Sequence, residues 1–256
     1  MLIVGNWKMH KTIPEAVALV ERLGDLLHRA TSSPLPAEIE IVLAPPFTAL
    51  SAVARAIGTH PFALAAQDVH WEDQGPFTGE VSALMLKDLG CRYVIVGHSE
   101  RRRHFEETNA TAGKKLVAAL RHGLKPILCI GETWDQRANG QTEPVLATQL
   151  TESLSPVEKD HAAEVVIAYE PVWAIGSGHP ATPQQAGETH RHIRTQLMAL
   201  WGPDAGARVP ILYGGSVTPD NIAELLAAPE INGVLVGGAC LDPMQFARMA
   251  AVCIRP

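Results

Sequence analysis

The sequence contains no apolar run long enough to cross a membrane. Its longest runs, such as VIAY at 166–169 and VIVG at 94–97, fall far short of the roughly 20 residues that a spanning helix needs. The N-terminal stretch MLIVGNWKMHK also lacks the basic region that precedes the apolar segment of a secretory signal. We therefore expect a cytoplasmic protein with no membrane partner.

The sequence also has few cysteines and no net positive charge. The four cysteines are unevenly spaced and form no C-x-x-C pair, which favours free thiols over disulfides or structural zinc. The net charge of -6 provides no cationic face for nucleic acid. Apolar residues make up 46% of the chain and charged residues 19%, which indicates a soluble globular protein.

Eight short runs rich in Val, Ile and Leu recur along the chain. Most of the spacers between them contain apolar residues at helical spacing, as in 14–29 and 184–200. The runs are LIV at 2–4, IEIVL at 39–43, FALAA at 62–66, YVIV at 93–96, PILCI at 126–130, VVIAY at 165–169, PILY at 210–213 and GVLVG at 233–237.

Apolar strands that alternate with helices predict a parallel sheet covered by helices, because parallel strands need crossover connections. Eight such units in 256 residues fit an α/β fold of the (β/α)₈ or TIM-barrel type, with eight parallel strands and outer helices. An open doubly wound sheet is the alternative. Since no linker or change of composition divides the chain, we expect one barrel domain over 1–256.

The carboxyl ends of the strands are where such barrels carry their chemistry. These ends contain a cation, an imidazole, several carboxylates and two glycine pairs. In chain order they read Asn6-Trp7-Lys8, Ala44-Pro45-Pro46, Gln67-Asp68, Gly97-His98-Ser99-Glu100, Gly131-Glu132, Glu170-Pro171, Gly214-Gly215-Ser216 and Gly237-Gly238.

The two glycine pairs follow the seventh and eighth strands. Glycine lets backbone N–H groups approach an anion closely, and barrels often bind phosphate at these two loops. Each pair could instead be only a tight turn, and Lys8 could be an ordinary surface charge. Their shared position on one rim favours a phosphate site that includes Lys8.

His98 and Glu170 are the candidate acid–base groups. His98 precedes helix-start residues, and a helix N-terminus disfavours imidazolium, so we expect a neutral ring that donates a hydrogen bond. Glu170 ends an apolar strand and precedes a glycine-containing segment that resembles a hinged lid. A carboxylate made basic by exclusion of water can abstract a proton next to a carbonyl. The alternatives are a core histidine and a structural ion pair.

Two further patterns imitate cofactor and metal sites. The run GSGHPA at 176–181 resembles a dinucleotide turn, but Pro180 and Pro183 fit a loop better. His190 and His192 resemble a metal pair, but they fall within a helical stretch away from the carboxyl rim. We expect them on a solvated helix face.

Longer motifs resemble one family, in family order from residue 5 to 241. The sequence is similar to the triosephosphate isomerase family, and the segments with GHSERR and AYEPVWAIG are highly specific. The motifs are GNWKMH at 5–10, AQDVHWEDQGPFTGE at 66–80, YVIVGHSERR at 93–102, CIGE at 129–132, AYEPVWAIGSG at 168–178, YGGSV at 213–217 and VGGACL at 236–241.

The resemblance implies residue roles in the isomerisation of dihydroxyacetone phosphate and glyceraldehyde 3-phosphate. Glu170 would be the base, His98 the neutral electrophile, and Lys8 and Asn6 would stabilise an enediolate. The segment 171–178 would be a lid. Phosphate would be bound by Gly176, Ser216, Gly237 and Gly238. No metal or organic cofactor is expected, because the substrate carbonyl is the electron sink.

The resemblance also implies a homodimer. The loop at 73–80, with Thr78 at its tip, would insert beside the partner's active site. Three residues depart from the family pattern: His10 stands where Asn is usual, Ser177 where Thr is usual and Cys240 where Ser is usual. We expect activity to survive these changes.

Two rival functions use the same barrel. A non-catalytic binding or scaffold protein would have no need for Lys8, His98 and Glu170 together with both glycine pairs. Another phosphosugar isomerase or epimerase would share the phosphate site but not this combination of histidine and lid sequence.

Overall fold

The computed structural model describes residues 1–30, 36, 38–175 and 181–254. Its eight strands agree with the predicted runs to within two residues at either end. They are β1 Leu2–Asn6, β2 Glu40–Ala44, β3 Phe62–Ala66, β4 Cys91–Val96, β5 Lys125–Ile130, β6 Val166–Tyr169, β7 Ile211–Tyr213 and β8 Gly233–Val236.

Helices separate consecutive strands. The α-helices are α1 Ile13–Ala30, α2 Phe47–Ile57, α3 Ala83–Asp88, α4 Ser99–His104, α5 Asn109–Arg121, α6 Trp134–Ala138, α7 Thr142–Leu154, α8 Pro183–Trp201, α9 Pro203–Arg208, α10 Ile222–Ala227 and α11 Pro243–Ile254. Short 3-10 helices cover Lys159–Glu164, Val172–Ala174 and Gly238–Leu241.

The strands form a closed barrel in chain order, and every neighbouring pair is parallel. The closing pair joins β1 to β8, with Leu2 opposite Gly233 and Gly5 opposite Val236. This closure confirms the predicted TIM barrel and excludes the open doubly wound sheet.

Alternation along each strand divides the apolar core into two layers. In β1, Leu2 and Val4 belong to an inner cluster to which all eight strands contribute. Ile3 lies between them and belongs to the outer cluster, which packs the helices against the barrel. Because successive strand residues point to opposite faces, both faces of each strand are buried, and the runs are almost continuously apolar.

The long helices bury an apolar face. In α1, buried residues recur at Ala16, Leu19, Val20, Leu23 and Leu27, which is the spacing of one helical face. α8 begins at a capping box in which Thr182 and Gln185 each accept a backbone hydrogen bond from the other.

The prediction of a solvated face for His190 and His192 is wrong for His190. That ring is fully buried, stands edge-on to Tyr169 at a centroid distance of 5.8 Å, and its Nδ1 donates to the carbonyl of Glu230 at 3.1 Å. His192 is half-buried, with its side chain 17% exposed. The helix face that carries His190 packs onto β6 and β7, and helical spacing alone does not reveal this.

His190 is expected to make the protein less stable in acid. Burial lowers the pKa of His190 from 6.5 to about 4. The unfolded chain therefore binds this proton at a higher pH than the folded chain does. The contribution of His190 to the free energy of unfolding is fully present above pH 6.5. It is lost as the pH falls towards 4, and the loss amounts to about 3 kcal/mol.

Urea unfolding of wild type and His190→Gln between pH 7 and 4 tests this expectation, since glutamine can still donate to the Glu230 carbonyl. His190→Gln should show a shallower loss of stability than wild type. Thr189→Val changes the adjacent buried position without removing a titratable group, and it should keep the wild-type slope. Parallel curves for His190→Gln and wild type would contradict the assignment.

Among the described helices, none combines the length and the apolar character needed to cross a lipid bilayer.

Candidate active site

A cavity of about 270 Å³ opens at the carboxyl ends of the strands. Every predicted site residue that the structure describes lines it: Asn6, Lys8, His98, Glu170, Ser216, Gly237 and Gly238. Gly176 lies outside the described residues, as do Ser177 and most of the GSGHPA run. The cavity therefore brings together groups that are up to 232 positions apart in sequence, from Asn6 to Gly238.

Glu170 follows β6 directly and is only 2% exposed. Its Oε1 lies 2.9 Å from Nε2 of His98, and its Oε2 accepts a hydrogen bond from the backbone N–H of Ser99 at 2.9 Å. A buried carboxylate needs such partners, because desolvation of an unpaired charge is costly. The carboxylate at the end of β6 is thus stabilised by His98 and Ser99, which follow β4.

His98 caps the N-terminus of α4. Its Nδ1 accepts the backbone N–H of Glu100 at 3.2 Å, and its carbonyl accepts the N–H groups of Arg101 and Arg102. An Nδ1 that accepts a hydrogen bond carries no proton, so a neutral ring has its proton on Nε2. Nε2 faces Glu170 and the cavity, where this proton can be donated.

Glu170 and His98 shift each other's pKa. Burial would lower the pKa of His98, but the charge and hydrogen bond of Glu170 outweigh it and raise that pKa. Burial would likewise raise the pKa of Glu170, but attraction to His98 and the Ser99 N–H lower it. Glu170 is therefore not made basic by burial in this arrangement, contrary to the sequence-based expectation. Separating the two side chains would remove the mutual contribution to both shifts.

Lys8 is held in the left-handed region, with φ of +53°. The side-chain oxygen of Asn6 accepts the Lys8 N–H at 2.9 Å, and the amide of Gln67 donates to the Lys8 carbonyl at 2.9 Å. Such a conformation costs free energy in a non-glycine residue and needs support from its surroundings. Asn6 thus places the Lys8 ammonium as well as lining the cavity.

The Lys8 ammonium forms an ion pair with Glu100, in which Nζ lies 2.6 Å from Oε1. The sequence indicated Glu100 only as a helix-start residue. Its position two residues after His98 at a strand end was the available signal, but sequence does not show where its side chain points.

The glycine pairs also leave space for neighbouring side chains. A Cβ on Gly214 would come within 3.0 Å of Cγ of Glu170, and one on Gly237 within 3.2 Å of Cε of Lys8. A Cβ on Gly238 would meet nothing within 4 Å, so this residue borders open space in the cavity. Glycine at these strand ends therefore makes room for the ionisable side chains and leaves one free backbone surface.

Like Glu100, two other carboxylates of the predicted rim lie outside the cavity lining. Asp68 pairs with Lys115 at 2.6 Å and with Arg101 at 2.8 Å. The Oε1 of Glu132 accepts hydrogen bonds from Tyr169, Trp173 and Arg137. These carboxylates bind side chains of neighbouring helices and of β6 beside the site.

The family departures that the structure describes differ in burial. His10 is exposed, whereas Cys240 is fully buried, with Sγ 3.5 Å from the carbonyl oxygen of Asn6. The backbone N–H of Cys240 donates to the carbonyl of Gly237. Within the described parts of the chain, no group of three or more His, Cys, Asp or Glu side chains is arranged to hold a metal ion.

A TIM barrel with a carboxylate, an imidazole and an ammonium around one glycine-bordered cavity defines an enzyme of the (β/α)₈ class. A sequence model described as triosephosphate isomerase matches residues 1–253. The chain belongs to the triosephosphate isomerase family.

Curated relatives agree over nearly the whole chain. The triosephosphate isomerase of Chloroflexus aurantiacus is 52% identical, with 97% of each chain covered. That of Moorella thermoacetica is 51% identical, with 96% of each chain covered, and that of Caldanaerobacter subterraneus subsp. tengcongensis is 49% identical, with 97% of each covered.

Proposed function

We propose that this protein interconverts D-glyceraldehyde 3-phosphate and dihydroxyacetone phosphate through an enediolate, as a cofactor-free isomerase of glycolysis and gluconeogenesis. The observation that carries the proposal is the convergence of Glu170, His98 and Lys8 on one small cavity with glycine backbone beside it. Membership of the triosephosphate isomerase family supports the choice of substrate.

In the proposed reaction, Glu170 removes the proton from C1 of dihydroxyacetone phosphate. The electron pair of that bond forms the C1=C2 double bond, and the π pair of the C2 carbonyl moves to its oxygen. The Nε2–H of His98 donates to this oxygen, and the Lys8 ammonium stabilises its developing negative charge. After its Nε2 proton has passed to the C2 oxygen, His98 takes the proton of the C1 hydroxyl through the same nitrogen. The C1 oxygen then forms the C1=O bond, and the C1=C2 electron pair takes the proton that Glu170 returns to C2. The product is the aldehyde.

Glu170 and His98 hydrogen-bond to each other in the ligand-free arrangement. Substrate must separate them, because each is needed at a different substrate atom. The separation removes the Glu170 charge that raises the pKa of His98 and leaves the Glu100 N–H on Nδ1. It also removes the His98 contact that lowers the pKa of Glu170. Both changes favour a neutral imidazole and a more basic carboxylate at the moment of proton transfer.

Phosphate is proposed to bind at Ser216, Gly237 and Gly238, with Gly176 from the lid segment. Gly238 supports this placement because its α-carbon faces open cavity. Backbone N–H groups at such turns can donate to phosphate oxygens without a side chain in the way.

The direct test is isomerisation of glyceraldehyde 3-phosphate by the purified chain in the presence of a metal chelator. Turnover to dihydroxyacetone phosphate is expected, and unphosphorylated glyceraldehyde should be a poor substrate because the phosphate supplies binding energy. A folded protein that binds inorganic phosphate but shows no turnover would instead support the scaffold function.

We also propose a cytoplasmic homodimer that associates through the loop at 73–80. His70 stacks on Trp71 at 4.4 Å and contacts Phe77 at 4.3 Å, and these contacts organise an exposed loop with Thr78 near its tip. Sedimentation should give twice the mass of one chain, and Thr78→Arg should shift it towards one. A wild-type protein of single-chain mass in dilute solution would contradict the dimer.

A further inference from the structure

Gly97, which follows β4 and precedes His98, has both of its backbone polar groups bound by ionic side chains. Its N–H donates to Oε1 of Glu107 at 2.7 Å, and its carbonyl accepts from Nε of Arg102 at 2.7 Å. Its φ of +70° lies in the left-handed region, and a Cβ would come within 2.9 Å of the Arg102 guanidinium. Only glycine suits this position without displacing Arg102.

These two bonds act on the peptide units that carry His98. The carbonyl of Gly97 belongs to the peptide that joins it to His98, so Arg102 fixes the plane of that peptide. Glu107 fixes the preceding peptide, between Val96 and Gly97, by accepting the N–H of Gly97. On the C-terminal side of His98, the N–H groups of Arg101 and Arg102 in α4 donate to the His98 carbonyl and hold it in place. The backbone of His98 is therefore held on both sides, and its Nε2 has a defined position against Glu170.

Glu107 and Arg102 are themselves held in place. Oε2 of Glu107 accepts from Lys115 and from Arg101, each at 2.8 Å, and the guanidinium of Arg102 donates to Asn109 at 2.6 Å and to the carbonyl of Cys129 at 3.3 Å. Although burial alone would raise the pKa of Glu107, attraction to Lys115 lowers it, so the carboxylate stays ionised. Charge-assisted bonds in a buried site are stronger and shorter than neutral ones.

We propose that Glu107 and Arg102 are positioning residues for His98, which they act on through the two backbone groups of Gly97. The proposal rests on the proposed function, in which His98 must reach the substrate oxygen. A displacement of about 1 Å in a catalytic group can cost about a hundredfold in rate. The pair therefore affects proton transfer without touching the substrate.

The test compares Glu107→Ala and Arg102→Met with milder variants at the same positions. The two severe variants should lower kcat by about ten- to a hundredfold and change KM by less than about threefold, because His98 acts in the transition state. Glu107→Gln keeps an oxygen for the Gly97 N–H and should recover most of kcat. Arg102→Lys keeps a single donor and should fall between wild type and Arg102→Met.

Asp68→Asn is the matched control. Asp68 contacts Lys115 and Arg101 in the same buried cluster, but neither Gly97 nor His98 is among its ion-pair partners. It should lose thermal stability to a similar extent as Glu107→Gln while keeping kcat within about threefold of wild type. An equal loss of kcat in Asp68→Asn would show that cluster stability, rather than positioning, sets the rate, and would overturn the proposal.

Nitrogen-15 NMR of the imidazoles, with His98 assigned by its loss in His98→Gln, gives a readout that does not need activity. At a pH above the raised pKa of His98, wild type should show the neutral tautomer with its proton on Nε2. Glu107→Ala and Arg102→Met should shift or broaden this resonance, while Asp68→Asn leaves it in place. If a severe variant does not fold, the Arg102→Lys spectrum carries the same comparison, and Glu107→Gln should resemble wild type. Unchanged His98 resonances in every folded variant would overturn the proposal. A wild type without isomerase activity would refute the proposed function, but the NMR test of positioning would stand.

Discussion

Glu170→Gln is expected to lower kcat on the order of 10³-fold while inhibition by inorganic phosphate stays within about tenfold of wild type. The substitution removes the carboxylate that is the proposed acceptor of the substrate proton. Glutamine has nearly the same size as glutamate and can still accept the Ser99 N–H, so the cavity should keep its shape. Steady-state kinetics with glyceraldehyde 3-phosphate and competition by phosphate measure the two quantities.

Asp68→Asn again serves as the control, because it neutralises another buried carboxylate at a strand end that lies outside the cavity. It should retain turnover. A Glu170→Gln protein with near wild-type kcat would show that another group is the base, and a protein that lost phosphate inhibition would show that the substitution had damaged the cavity.

His98→Gln is expected to lower kcat on the order of a hundredfold, because it removes a donor aimed at the developing oxyanion. It should also move the acid limb of the kcat/KM profile to higher pH. The sign follows from the contacts of Glu170: attraction to His98 lowers the pKa of that carboxyl, so without the imidazole a larger fraction of the base is protonated at a given pH.

The pH profile separates this role from a general structural one. Lys8→Met should reduce kcat to a similar extent, but it leaves the direct hydrogen bond between His98 and Glu170 in place and should move the acid limb less. An acid limb that stayed fixed or moved to lower pH in His98→Gln would contradict the coupling between the two side chains. Each profile is compared with wild type on the same substrate, so that titration of the substrate phosphate cancels.

The barrel was predictable because the strands are buried on both faces and most are followed by apolar residues at helical spacing. The placement of Lys8, His98 and Glu170 on one rim followed from the same topology, since all parallel strands end at the same edge. The family motifs then gave these residues roles. Such predictions depend on position along the chain, which sequence gives directly.

Side-chain direction was the part that sequence could not supply. His190 is buried although its helix also carries polar residues, because the outcome depends on which face of α8 meets the barrel. Glu100, Asp68 and Glu132 all follow strands, yet their side chains take different directions. Glu100 pairs with Lys8 at the cavity, Asp68 pairs with Lys115 of α5, and Glu132 binds Trp173. The lowered pKa of Glu170 likewise depends on a contact between two loops, which neither loop's sequence specifies.

The inner layer of the core determines the route that molecules take. Side chains from all eight strands, including Val4, Val42, Ile95, Ile127 and Leu212, fill the barrel below the cavity. The strands therefore close the cavity on the barrel side, and its mouth lies at their carboxyl ends. Both triose phosphates must arrive and depart through that mouth, so each molecule of product blocks the next molecule of substrate until it diffuses away. For an isomerase that runs in both directions, mutual competition between its two ligands follows from the way the barrel is filled.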